Sequence, residues 1–210
     1  MKKEILVWIA AACAVISIVA VQALSYQNTF SYIKFEDESI RSVHGIEIEL
    51  KIPHGFKKTS ILNHQPKFHE HLFNVSTAAI YTDDIIIMMH AESVTDHSGF
   101  LNYSYLDSIQ LAGIGFTTQE RCVVISDELL KEARDLGFFQ GEGFDFYPAI
   151  YMKQFFKTTQ DGNQEVVLTY GERVCNCEIT NFDDKFKTEF NQRLLQKVNI
   201  KYTYTGDYVD

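Results

Sequence analysis

Residues 151–174, YMKQFFKTTQDGNQEVVLTYGERV, decide how this 210-residue chain is read. The segments 151–159 and 164–174 flank Gln160-Asp161-Gly162-Asn163, and the Asp-Gly pair supplies residues that tolerate the positive φ of a tight turn. The pattern predicts a β-hairpin. Upstream, 72–81 and 85–93 are two more strand candidates, joined by Thr82-Asp83-Asp84, a connection short enough for a second hairpin. Ile85-Ile86-Ile87-Met88-Met89 is apolar on both faces, which predicts a central strand. Ile46, Ile48, Leu50 and Ile52 alternate with Glu47, Glu49 and Lys51, the period of a strand with one buried and one wet face, and Pro53 and Gly55 end it.

Elsewhere the period changes. Leu101, Tyr105, Ile109 and Ala112 recur every three to four residues, with Asp96 or Ser98 as a cap and Gly113 as a stop, so 98–112 is predicted helical. A short strand is expected at 122–126 and a short polar helix or turn at 127–136. After 180–183 (Thr-Asn-Phe-Asp, a capping-box-like start), Phe182, Phe186, Phe190, Leu194 and Val198 form one stripe of a closing helix. This order predicts an α+β fold: a mostly antiparallel sheet with helices packed on its faces, preceded by one hydrophobic N-terminal helix. Residues 45–56, GIEIELKIPHGF, resemble the opening of the PsbP and Mog1-like α/β family, in which a strand runs into Pro-x-Gly and an aromatic residue. The order of hairpin and closing helix over 43–200 is also similar, although Phe56 stands where that family usually has Trp. The resemblance implies a sheet sandwiched by helices in non-enzymatic proteins that assist larger assemblies. It transfers no functional residue.

The N-terminus reads as an address. Lys2 and Lys3 precede residues 5–21, whose only polar member is Ser17. Residues 1–24 are therefore either a signal peptide, with Val21 and Ala23 at the −3 and −1 positions, or a single transmembrane anchor. Cys13 sits inside the apolar run and reads as a small hydrophobe, not a lipid-bearing residue. Residues 25–42, with the acidic Glu36-Asp37-Glu38 cluster, read as a stalk and 43–210 as an extracytoplasmic domain, periplasmic or at the cell surface. The net charge of −9 argues against nucleic acid as a partner.

Few residues point to chemistry. His64, His69 and His71 are the metal candidates, because His69 and His71 share a face in an extended chain. Cys122, Cys175 and Cys177 are the disulfide candidates. A bond across one intervening residue is strained, so Cys122 is expected to join one of the other two. Phe138 and Phe139, in a glycine-interleaved aromatic stretch, are candidates for docking a partner, whereas Phe144 and Phe146 are expected in the core. Serine-hydrolase, metallohydrolase and nucleotide-loop motifs are missing from the sequence, and no catalytic residue or cofactor is expected. The expected role is a non-enzymatic, membrane-proximal accessory subunit of an envelope assembly, working with other envelope proteins. The alternative is a periplasmic module that binds a small molecule or a metal.

Overall fold

A computed structural model describes residues 30–178 and 181–202. Among them, β1 (Ile33–Phe35), β2 (Ser39–Ser42), β3 (Ile48–Lys51) and β13 (Asn199–Tyr202) form a four-stranded sheet in the order β1-β2-β3-β13. The larger sheet runs β4 (Lys57–Lys58), β7 (His71–Tyr81), β8 (Ile85–Val94), β12 (Gln164–Val174), β11 (Ala149–Thr158), β10 (Ile114–Val124), β9 (Asp107–Leu111). The short strands β5 (Leu62–His64) and β6 (Lys67–Phe68) also pair with β7. Every strand pairing among the described residues is antiparallel. The described helices are α1 (Asp127–Glu132), α2 (Arg134–Gly141) and α3 (Asp184–Lys197).

The α+β expectation is thus corrected. Strand dominates, and much of the layer facing the large sheet is a second small sheet instead of a set of helices. Two sequence features account for the difference. The predicted helix at 98–112 is instead loop followed by β9, because Ala112 and Gly113 both take positive φ (52° and 78°) and fold β9 back onto β10 in a two-residue turn. Ile109 and Leu111 then face the core with the period of a strand. The second feature is the stretch read as a stalk: β1 and β2 lie inside it, with Ile33 and Ile40 buried. The signal or anchor segment, the hydrophobic N-terminal helix and Cys13 lie outside the described residues. Among those described, no helix is long and apolar enough to cross a membrane.

The hairpin of 151–174 forms with Gly162 at φ 66°, and β8 lies between β7 and β12, inside the sheet. Side chains alternate across the large sheet, so it carries a core on each face. On one face Ile87, Met89, Leu168 and Tyr170 meet Ile40, Ile48 and Leu50 of the small sheet and Phe190 and Leu194 of α3. Asp183 caps α3 by accepting from the Phe186 N–H at 2.8 Å. Arg193 of the same helix donates two bonds to the Glu172 carboxylate, at 2.9 and 2.8 Å. On the opposite face Ile86, Met88, Ile150 and Met152 are covered by Phe139, Phe144 and Phe146. A disulfide joins Cys122 of β10 to Cys177 beyond β12, with Cα atoms 5.5 Å apart, and Cys175 is a free, exposed thiol.

Candidate functional site

The second face is only partly covered. Ser126 caps α1 by accepting from the Leu129 N–H, and at Ala133, between the helices, φ −86° and ψ 87° break the helical path. The chain folds tightly there, since a Cβ on Gly137 would lie 2.3 Å from the Leu130 carbonyl oxygen, a contact only glycine permits. The two short helices form one wall of a groove of about 550 Å³, floored by side chains of the large sheet. Its apolar surface comes from Met88, Val123, Met152, Val167, Leu136 and Phe139.

Polar groups gather at one end. The antiparallel register places His90 of β8 beside Thr77 of β7, and His64 of β5 beside Val75, all on the groove face. From the wall, Asp135 reaches down to both histidines. His90 Nδ1 is 3.0 Å from Asp135 Oδ2, and His90 Nε2 is 2.9 Å from Glu92 Oε2. Burial pulls the His90 imidazole toward neutrality, but hydrogen bonds and charge from the two carboxylates more than reverse this, leaving its pKa well above the ordinary 6.5. The cation is therefore clamped, with both nitrogens used. Asp135 is raised by burial and lowered further by His90, ending below the usual carboxylate value.

His64 is different. It is 6% exposed, and burial, followed by the charge of Arg134, holds its imidazole below the ordinary value, so it is neutral at pH 7. Its Nε2 lies 3.2 Å from Asp135 Oδ1, yet off the line of a hydrogen bond. Among the described residues, neither ring nitrogen of His64 nor Asp135 Oδ1 has a hydrogen-bond partner. Leaving such groups unsatisfied costs about 1–3 kcal/mol each, so three together mark a place where something else supplies the bonds.

Next to this cluster Glu165 faces Glu92 across β12 and β8. Burial, then the Glu92 charge, pushes the Glu165 carboxyl up to about 8, and Tyr103 donates a hydrogen bond to its Oε1 at 3.2 Å. A neutral Glu165 spares the site a third carboxylate anion beside Asp135 and Glu92. Because its folded value exceeds the ordinary 4.5, the folded state holds the proton more tightly and stability falls as pH rises from 4.5 to about 8. The His90 contribution has the same sign: it is complete below 6.5 and is lost as pH rises through the raised folded value. Glu165→Gln, which keeps an acceptor for Tyr103, is expected to flatten the decline between pH 4.5 and about 8 in urea unfolding. An unchanged slope would mean that Glu165 ionises normally.

Several expectations are corrected here. His64, His69 and His71 do not converge: His64 turns into the groove, His71 Nδ1 is 2.7 Å from Asp96 Oδ2, and His69 sits in the exposed turn between β6 and β7 at φ 44°. No group of three or more potential metal ligands is gathered among the described residues. The docking pair is also reassigned, because Phe139 is 0% exposed and Phe138 packs half-buried against the same cluster, their ring centroids 5.4 Å apart. They hold the groove wall down. His90 sits within β8 and serves two carboxylates. The sequence reading passed over Asp135, Glu92, Glu165 and Arg121. The alternation Ile86, Met88, His90, Glu92 was the available signal, since it puts an imidazole and a carboxylate on the face of two buried hydrophobes.

No protein-family model, curated protein or solved structure matches the chain. A second depression of about 630 Å³ lies beside the Asp161-Gly162 turn. Asp161 there accepts from Thr159 and Asn163, Tyr103 is bonded to Glu165, and none of the residues that line it carries a buried side-chain polar atom without a partner. The groove, by contrast, combines apolar walls with unpaired buried polar atoms.

Proposed function

We propose that the domain is an extracytoplasmic binding module for a small amphipathic molecule, with the groove beneath α1 and α2 as its seat. The observation that carries this reading is the set of unsatisfied atoms on His64 and Asp135 at the end of an apolar trough, the usual composition of a ligand pocket. Binding is favoured over turnover by the side chains present. His90 has both nitrogens committed, the groove wall offers no serine or cysteine nucleophile, and Thr77 is turned to the Met89 carbonyl. The accessory-subunit reading rests on the missing catalytic motifs, the anchor-like N-terminus and the family resemblance, none of which the groove bears on; the burial of Phe139 removes only the docking pair.

Methyl NMR provides the test. Met88 and Met152 face the groove, whereas Met89, from the same strand as Met88, is buried in the opposite core. Titrating the full chain with dodecanoate is expected to shift the Met88 and Met152 methyl resonances and leave Met89 unmoved. Equal movement of all three, or of none, would refute the assignment.

A further inference from the structure

The direction of the groove gives a more specific ligand. Crossing the sheet from the paired end, it passes His90 on β8, Val167 and Thr169 on β12, Gln154 and Phe156 on β11, and ends at Arg121 on β10. Arg121 lies three strand spacings from His90 and, since the register sets Thr117 opposite His90, four residues further along β10, so about 19 Å separates the two backbone positions. Arg121 is exposed at the mouth and makes no ion pair among the described residues. A floor of mixed apolar and polar side chains thus lies between Arg121 and an inner end where His90 and Arg134 offset Asp135 and Glu92 and where, among the described residues, His64 and Asp135 Oδ1 are left without partners.

The chemistry of the inner end is selective. A neutral imidazole presents one donor and one acceptor, and Asp135 Oδ1 presents a second acceptor. An ammonium group would serve the acceptors and leave the imidazole N–H unmatched. A carboxylate has no hydrogen to give Asp135 Oδ1. A hydroxyl gives its one hydrogen to Asp135 Oδ1 and accepts from the imidazole N–H, and so bonds both residues, leaving the second imidazole nitrogen unmatched.

Building on the binding reading above, we infer that the groove takes an elongated amphiphile with a hydroxyl at the His64–Asp135 end and an anionic group at the Arg121 end. The probe is ω-hydroxydodecanoate, compared with dodecanoate, dodecanol and ω-aminododecanoate, with affinity read on the full chain from the Met88 and Met152 methyls. The hydroxy acid is expected to bind at least tenfold tighter than either dodecanoate or dodecanol. His64→Leu is expected to erase its advantage over dodecanoate, and Arg121→Gln its advantage over dodecanol. Should His64→Leu fail to fold, Asp135→Asn tests the same end, with thermal melts confirming the fold. Each ligand is also compared with itself across the variants, which cancels its partition into lipid or detergent. Equal affinity for the hydroxy acid, the acid and the alcohol overturns the inference, and so does tightest binding by the amino acid; in both cases the groove stands as a binding site. Unmoved Met88 and Met152 methyls with every probe overturn the binding reading and the inference together.

Discussion

Phe139→Ala is expected to lower the stability of the domain by about 3–5 kcal/mol, the range for removing a fully buried phenylalanine ring. In a domain of this size that corresponds to a fall in Tm of roughly ten degrees. The ring touches no solvent and lies in the core that joins α2 to Ile150 and Met152 of the sheet, so its loss leaves a cavity under the groove wall. Phe138, half-buried beside it, is expected to cost well under half as much on the same substitution. Urea unfolding of the two variants separates them. Equal losses would mean that the two rings contribute alike to the core, against the burial described here.

Removing the disulfide is the other large perturbation. Cys122 and Cys177 are 55 residues apart in sequence, and a cross-link closing a loop of that length stabilises by about 4 kcal/mol in the chain-entropy treatment, an upper figure if the unfolded chain keeps structure. Cys177→Ser is expected to lose most of that amount, as is reduction of the parent protein. Cys175→Ser, which replaces an exposed free thiol, is expected to change stability little. Denaturant midpoints with and without reductant give the comparison. A Cys175→Ser variant as unstable as Cys177→Ser would place the bridge on the wrong cysteine.

How much of this was legible beforehand varied with the range of the interactions involved. The hairpin around Asp161-Gly162, the interior position of β8 and the stripe of α3 all rest on local periodicity, and each has its counterpart in the structure. The segment before Gly113 misled because Leu101, Tyr105, Ile109 and Ala112 fit a helix as well as Ile109 and Leu111 fit a strand. The left-handed conformation of Ala112, rare outside glycine, decided between the two. The site was hidden for a different reason. His64, His90 and Asp135 come from a short strand, a central strand and a helix, and only the strand register and the bend at Ala133 bring them together. Spacing along the chain favoured His69 and His71, neighbours in sequence that the tertiary structure separates. It also left open which of Cys175 and Cys177 meets Cys122, because the chain beyond β12 has no periodicity from which to choose.

The wall that closes the groove is thinly rooted. α1 buries no side chain, and α2 buries only Phe139, whereas the sheet beneath is held on both faces and laced by antiparallel ladders. Cooperative opening of 127–141 therefore requires far less free energy than melting the strands, so the molecule has two tiers of stability. A guest can enter by displacing the wall while the floor stays folded, and once seated it ties the loose tier to the firm one.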